Sequence, residues 1–448
     1  MSDLLSIGAS GVRAYQTALS TVSENIANTG TIGYTRRTTT LAEVSSVNGG
    51  INARNSATGS GVIVVGVGRS ADAYRSQAVR SAGTDLGKTE TSVAWMSRIE
   101  SSLGNNKLGD RLTSFFGSAQ TLSADPTSVP ARAVMLEAAK TAAEAFAATG
   151  KALDTAATEL DSSATQAVQS LNALGTALAK VNDGLARTQP GSSSAAQLAD
   201  QRDQLLDQMS TLTDVSTAFD DLGRATVRLG SATGTVFVAG NESGQASFAR
   251  NDEGAVQFAV TRGGVTSDLS PTGGALAGMA DGAQRIAAAR ESLNGIASDF
   301  TAQVNAVQAQ GRDLDGNPGA ALFATGTSPT DISVSLTDPR GIAAAGATGG
   351  VRDASNLSAL QAVRTSGGFE TRTTTLVAGN AAALEQRKTV ADAQSAIRDG
   401  AVASLASASG VDLDSEAVDL LRFQQAYQAS SRVIQTARDT FQTILDLR

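Results

Sequence analysis

The chain has 448 residues, with 45 Gly against 7 Pro, only 4% aromatic residues, and neither Cys nor His. Without Cys and His it can form no disulfide, no Ser-His-Asp or Cys-His catalytic arrangement, and no zinc site ligated by His or Cys. Its net charge of -8 argues against a nucleic acid as partner.

The N-terminal stretch from Ser2 to Ala27 is predicted to be an amphipathic helix. Its apolar residues recur at alternating steps of three and four, the period of a helix that packs along another helix. These residues are Val12, Tyr15, Leu19, Val22 and Ile26. Gly30 is placed to cap the helix, Gly33 to make the next turn, and the β-branched stretch from Tyr34 to Leu41 is expected to be extended. The N-terminus lacks a basic region and a continuous apolar run, so we expect no cleaved secretion signal, and we expect no membrane insertion.

The middle of the chain alternates between two periodicities. Ala-rich helical patterns, interrupted by a Ser-rich loop at Gly191 to Ala195, cover 86–116, 130–185 and 198–215. From Thr217 to about Ser270 the period is two, with Gly-rich turns, which predicts a small domain of β-hairpins inserted between helices. Helical patterns return at 276–310, 356–364 and 384–405, with a short strand at Ile332, Val334 and Leu336.

Without Cys and His, only carboxylate, Lys or Tyr chemistry remains open, and the acidic residues are the candidates that form groups. Asp313, Asp315 and Asn317 resemble a calcium loop only faintly, because Pro318 and Ala324 stand where the turn glycine and the bidentate Glu belong. The carboxylate pairs lie in predicted turns or at helix starts, where they act as caps; they are Asp220–Asp221, Asp252–Glu253 and Asp412/Asp414. We therefore predict no catalytic residue, no cofactor and no metal site, and a protein that is not an enzyme.

The last stretch, from Asp414 to Leu447, contains neither Gly nor Pro and repeats the three-four alternation of the first helix. Its apolar line is interrupted by Ser430 and consists of Leu420, Phe423, Tyr427, Ile434, Ala437, Phe441 and Ile444. Both stripes are buried most simply if the two ends of the chain meet. For either helix alone, an ordinary amphipathic helix on a core is the alternative interpretation.

The predicted fold is therefore mainly α with an inserted small β domain. The N- and C-terminal helices pair as a coiled coil, a bundle of long helices forms the middle domain, and β-hairpins form an outer domain. The predicted bounds are 1–45 and 406–448 for the terminal domain, 46–216 and 276–405 for the middle domain, and 217–275 for the outer domain.

The residues after the first helix carry a resemblance to a known family. NIANTGTIGYTRR is similar to the N-terminal signature of the axial proteins of the bacterial flagellum. The matching residues are Ala27, Asn28, Thr31, Gly33, Tyr34 and Arg36. Asn25, Asn28 and Arg36 are the polar candidates for contacts between subunits, and local capping of the helix end is the equally weighted alternative.

The other end of the chain resembles the C-terminal signature of the same proteins. The matching residues are Gly410, Val411, Leu413, Gln424, Ala426, Tyr427, Ala429, Val433 and Ile434. The segment MSRIESSLG, the helix after it, and the helix from Leu198 to Val215 are similar to the hook-associated protein 1 (FlgK) family, which forms the hook-filament junction.

This resemblance implies a structural protein of the flagellum that assembles with copies of itself into a ring or tube through its terminal helices. The family's other implied partners are the hook protein, the second hook-associated junction protein and an export chaperone on the C-terminal helix. The implied location is extracellular, in the flagellum, after type III export without a cleaved signal peptide.

Alternatives stay open at this point. Another axial protein (hook, rod or second junction protein) would share both signatures, although a hook protein would need β-structure where Leu86 to Val215 is predicted helical. A coiled-coil surface scaffold or adhesin unrelated to flagella is a further alternative. An enzyme with carboxylate chemistry is the last, but no substrate pocket can be named for it.

Overall fold

The computed structural model describes residues 2–44, 61–251 and 255–446, and it is mainly helical with small antiparallel sheets, which confirms the predicted class. The helices are α1 Ser2–Ala27, α2 Ala73–Gly104, α3 Leu108–Ala124, α4 Val129–Arg187, α5 Ser193–Leu212, α6 Gly274–Gln310, α7 Ser355–Gly367, α8 Phe369–Ser409 and α9 Leu413–Asp446.

The strands form small separate sheets. β1 Arg37–Glu43 pairs with β2 Val62–Arg69. A four-stranded sheet contains β3 Val215–Phe219, β4 Ala225–Leu229, β5 Thr235–Ala239 and β6 Glu242–Ser243, and a three-stranded sheet contains β7 Gln245–Arg250, β8 Val256–Arg262 and β9 Val265–Leu269. The pairs β10 Gly311–Arg312 with β13 Ala345–Gly346, and β11 Phe323–Thr325 with β12 Ile332–Val334, complete the set.

Helix α4 is the longest element, and helices α2, α3, α5 and α6 pack against it. It begins at Val129, after the capping side chain of Ser128, and Pro130 lies in its first turn; of the two prolines that could start this helix in the sequence, Pro126 and Pro130, Pro130 is the one at its start. Its 59 residues correspond to a length of about 90 Å. Alanines on its buried face let neighbouring helices approach closely. Six phenylalanines from α3, α4, α6, β11 and α8 fill the centre of the core: Phe115, Phe116, Phe146, Phe300, Phe323 and Phe369.

Two asparagines of α4 attach the two larger sheets to the helix. The Asn182 side chain accepts a hydrogen bond from the Ala225 amide and donates to the carbonyl oxygens of Ala225 and Gly240. The Asn172 side chain makes the same two-way contact with the backbone of Ala246. Each amide thereby pairs with backbone groups in or next to the strands of a sheet.

The boundaries of several predicted elements were wrong. α5 begins at Ser193, inside the predicted loop, because the Ser192 side chain caps the helix. It ends at Leu212, and Val215 already belongs to β3 rather than to the helix. β12 ends before Leu336. The Asp252–Glu253 pair, Leu447 and the predicted boundary at 45/46 lie outside the described residues.

Candidate functional site where the chain ends meet

Helices α1 and α9 pack along each other in antiparallel order. Gly8 lies against Ile434 and Gly11 against Ser430. A Cβ atom at Gly8 would lie 2.7 Å from Cγ1 of Ile434, and one at Gly11 would lie 2.6 Å from Oγ of Ser430. The close approach of the two helices therefore depends on glycine at both positions.

The β1–β2 hairpin also packs against α1. The Ser10 Oγ atom accepts a hydrogen bond from the backbone amide of Val62 at 3.1 Å, and the Thr39 hydroxyl donates to the Thr21 hydroxyl at 2.9 Å. Helix α1 is thus held by two neighbours, α9 and the hairpin.

The apolar residues of α1 and α9 that are predicted to form the coiled-coil interface differ in how far they are buried within one chain. Val22 is buried, and half-buried positions on the two helices are Val12, Tyr15, Leu19, Ile26, Leu420, Phe423, Tyr427 and Ile434. Tyr15 and Phe423 come together, with ring centroids 6.4 Å apart. Phe441 and Ile444 are 51% and 46% exposed. The most buried residues of α1 include small or polar residues that each precede a residue of the predicted stripe by one position. They are Ala14, Ala18, Thr21 and Asn25.

Asn25, at the end of α1, binds the edge of β1. Its Oδ1 atom accepts from the Arg37 amide at 2.9 Å and from the Tyr34 hydroxyl at 2.8 Å, while its Nδ2 donates to the Arg37 carbonyl at 2.8 Å. The same Nδ2 donates to the Glu416 carboxylate at 2.9 Å. One buried amide therefore joins α1, β1 and α9.

Glu416 lies at the start of α9 and is fully buried. Its carboxylate accepts from Nε of Arg36 at 2.6 Å in addition to Asn25. The Arg36 guanidinium also reaches Asp419 at 3.5 Å, and the Arg36 amide donates to the Ser409 carbonyl at 2.8 Å. A carboxylate is stable at such a buried position only with these partners. Arg36 therefore links the start of α9 to the loop between α1 and β1, residues 28–36, which we call the signature loop.

A second set of ion pairs attaches the hairpin to α5. The Asp200 carboxylate is nearly buried and lies 2.7 Å from Nε of Arg69 and 3.4 Å from a terminal nitrogen of Arg37. Arg69 also binds Asp203 at 2.7 Å, and Arg37 binds Glu24 at 2.8 Å. Every one of these side chains has at least one partner of opposite charge.

The signature loop itself is shaped by two glycines and a tyrosine. Gly30 and Gly33 have φ values of 81° and 78°, in the left-handed region that favours glycine. The Tyr34 hydroxyl is directed to Asn25, and burial raises the pKa of this phenol to about 12, against the opposing effect of the Arg37 guanidinium. The phenol is thus a neutral hydrogen-bond donor at physiological pH.

The remaining signature residues are less enclosed. Ala27, Thr31 and Gly33 are exposed, and the Asn28 side chain donates to the Glu24 carbonyl at 2.8 Å. For Asn28 the contact within the chain is thus capping of the helix end, whereas Asn25 and Arg36 bind other elements of the same chain.

Sequence reasoning missed Glu416, Asp200 and Arg69. Glu416 looks like an ordinary acidic residue in the first turn of a helix, where it favours the helix dipole. Asp200 and Arg69 are 131 residues apart, and no local pattern relates them. The sequence shows only that the chain contains similar numbers of acidic and basic residues, and this does not indicate which of them pair.

Two general properties of the described residues bear on the kind of site present. Across the ranges 2–44, 61–251 and 255–446, no group of three or more His, Cys, Asp or Glu side chains is arranged to hold a metal ion. No helix in the same part of the chain is both long and apolar enough to cross a membrane.

Comparison with known proteins decides the family. Residues 96–323, about half of the chain, match the family model of the helical domain of flagellar hook-associated protein FlgK. The chain belongs to the FlgK family. Residues 403–447 also match the model of the C-terminal region of the flagellar basal body rod proteins FlgE, FlgF and FlgG, so α9 has the sequence character of a wider set of flagellar proteins.

Curated relatives in the FlgK family match over part of their length. Flagellar hook-associated protein 1 of Salmonella typhimurium is 36% identical over 151 residues, which cover 33% of this chain and 27% of that protein. The protein of the same name from Escherichia coli K12 is 34% identical over 138 residues, covering 30% of this chain and 24% of that protein. The aligned region thus spans about a quarter of these relatives.

A solved structure gives the same family. The flagellar hook junction protein FlgK from Burkholderia pseudomallei superposes with a TM-score of 0.50 and 26% identity, covering 56% of this chain and 47% of that one. The shared part is consistent with a mainly helical body that carries small antiparallel sheets.

Proposed function

We propose that this chain is a structural protein that assembles with copies of itself at the junction between the flagellar hook and filament, through its terminal helices. The proposal rests on one property of α9: its first turn is bound to other elements of the chain, whereas apolar side chains farther along the helix are exposed to solvent. Glu416 fixes the start of this helix in the chain, whereas Val418 and Leu421, two and five residues later, are 67% and 58% exposed.

The remainder of α9 supports the same function. Beyond Glu416, its other buried residue among those described is Ala437, and Phe441, Ile444 and Leu445 are each about half exposed. Exposed apolar residues repeated along a long helix are typical of a surface that binds other helices. Neighbouring copies would bury these residues, and the α1–α9 pair would act as a coiled coil that lines the inside of a ring or tube.

We further propose the division into three layers that the sequence predicts. Residues 1–45 and 406–448 would form the inner layer, 46–216 and 276–405 the helical middle, and 217–275 an outer β-rich layer. The two asparagines of α4 that bind the larger sheets support a β-rich layer seated on the helical one.

The proposed partners are the hook protein, the second hook-associated junction protein and an export chaperone on α9, with export that needs no cleaved signal. A second candidate is another axial protein of the flagellum, such as a rod or hook protein. The match of residues 403–447 to the rod-protein model favours keeping this candidate.

A deletion strain tests the proposal. We expect cells that build hooks of normal length but carry no filament, and electron microscopy of isolated hook-basal bodies would show this directly. Missing or shortened hooks would favour the rod or hook alternative, and full motility would refute a flagellar role.

A truncated chain provides the matched test for the ends. Removal of residues 414–448 should leave the thermal unfolding transition of the helical middle in place and abolish complementation of the deletion strain. Loss of that transition would contradict the proposed division into layers.

A further inference from the structure

A half-open cavity of about 430 Å³ lies beside the signature loop, between α5 and the end of α8. Three carboxylates line it, from Asp200, Asp203 and Asp207, against the single guanidinium of Arg69. Asp200 and Asp203 are already paired with Arg69 at 2.7 Å, so Asp207 is the carboxylate that remains least compensated.

Asp207 has one cationic partner among the residues that the structure describes. Its nearest cation is Arg80, at 3.4 Å, and 43% of its side chain is exposed. Burial of the rest raises its pKa to about 6, and the repulsion of Asp203 adds to this, although Arg80 acts in the opposite direction. A further cation in the cavity would stabilise the ionised carboxylate.

Ser409 provides a second, independent sign that something binds here. The residue lines the cavity and is only 7% exposed, and its Oγ atom has no hydrogen-bond partner among the residues that the structure describes. A buried hydroxyl without a partner is uncommon in a folded protein. A donor that enters the cavity would pair with Asp207, and rotation of the enclosed Ser409 side chain would supply a second acceptor.

Helix α9 carries donors of this kind. Its first part is acidic, with Asp414, Glu416 and Asp419, whereas 420–438 contain only basic charges, at Arg422, Arg432 and Arg438. Arg432 and Arg438 are exposed, and no carboxylate of the described ranges lies within ion-pair distance of either, unlike Arg422, which binds Asp419 at 3.3 Å.

We infer that the cavity receives an arginine side chain, Arg432 or Arg438, from α9 of a second copy of this chain, with Asp207 and Ser409 as its acceptors. Val402 and Leu405 line the same cavity and would contact the methylene stem of the arginine. The contact places the start of α9 in one copy beside the second half of α9 in the next. This inference rests on the proposed self-assembly and specifies one of its interfaces.

Ala406 allows the cavity to be tested without changing the ion pairs around it. It is exposed, lies within α8 and lines the cavity. Ala406→Lys should place a positive charge at the mouth and repel the incoming arginine, whereas Ala406→Glu adds a side chain of similar size with the favourable sign. Exposed substitutions of this kind should change folding stability little, which circular dichroism melting would verify.

The assay is the concentration at which the full-length chain forms particles in sedimentation velocity. Ala406→Lys and the double variant Arg432→Glu/Arg438→Glu should each raise this concentration about tenfold or more, as expected for the loss of one charge-assisted hydrogen bond per contact. Ala406→Glu should assemble like the unmodified chain. Mixing the two defective chains in equal amounts should restore assembly, because glutamates from one then meet the lysine cavity of the other.

The possible outcomes distinguish a failure of the proposed self-assembly from a failure of the inferred interface alone. If the unmodified chain forms no particles, the proposed self-assembly fails and the inferred interface fails with it. If it assembles and the arginine double variant assembles equally well, only the inferred interface is refuted. Defects in both variants without rescue on mixing would also refute it, since they would then arise within each chain.

Discussion

The attachment of the β1–β2 hairpin to α5 should depend on the charge of Asp200. In Asp200→Asn the shape of the side chain is kept, but Arg69 loses a 2.7 Å ion pair and Arg37 a 3.4 Å one. The shorter contact contributes about 2–3 kcal/mol as a charge-assisted hydrogen bond, and the longer one contributes less than about 1 kcal/mol. Since Arg37 keeps Glu24 and Arg69 keeps Asp203, neither guanidinium is left unpaired, and the total loss should be about 3 kcal/mol.

Hydrogen exchange followed by mass spectrometry measures this loss locally. A change of about 3 kcal/mol should speed exchange in β1 and β2 by roughly 100-fold. Asp220→Asn is the matched control, because the same chemical change removes an exposed pair with Arg224, whose worth is at most about 1 kcal/mol. Equal effects of the two substitutions, or an equal acceleration in the core of α4, would refute the reasoning that Asp200 holds the hairpin to α5.

Three further predictions concern single side chains. Since the pKa of Tyr34 is raised to about 12 in the folded chain, the stabilising effect of its phenol should be complete below pH 10 and be lost as pH rises from 10 to 12. Ultraviolet titration of Tyr34→Phe should lack this late-ionising phenol. A titration curve identical to that of the unmodified chain would contradict this. Arg132 is 1% exposed and donates to three backbone carbonyls. Arg132→Met should therefore lower the free energy of unfolding, measured by urea denaturation, by about 3–5 kcal/mol. A loss below about 1 kcal/mol would show that the carbonyls find other partners. Gly33→Ala should cost about 1 kcal/mol more than Gly30→Ala in the same assay, because both glycines have positive φ but only a Cβ atom at position 33 would clash with the Gln204 side chain. Equal costs would mean that the Gln204 side chain moves away freely.

The sequence was sufficient for the elements whose signal is local. The presence of Ala-rich helices and Gly-separated strands follows from periodicity, caps and turn residues. The predicted helical stretch 86–116 is nevertheless divided between α2 and α3, and α8 begins at Phe369, well before the predicted residue 384. The error at Val215 has the same origin, since an apolar residue continues a helical pattern and also begins a strand. Local patterns therefore predicted which elements form better than where they end.

The candidate site depended on contacts that no local pattern contains. The stripe of large residues on α1 predicted the face of the helix, but Ala14 and Ala18 are more buried than Tyr15 or Leu19. The reason is that α1 lies between two neighbours, and small side chains fit best where both are near. Glu416 and Asn25 are 391 residues apart, so their hydrogen bond is a property of the tertiary fold alone.

The position of Asn25 on β1 has a consequence for how the chain avoids incorrect association. Both backbone groups of Arg37 are occupied by the Asn25 amide, which imitates an adjoining strand. An extended segment from another molecule cannot form a ladder at a position that is already filled, and open strand margins are where amyloid-like stacking starts. For a chain proposed to assemble through its helices, the Asn25 side chain thus prevents strand addition at the Arg37 position of β1.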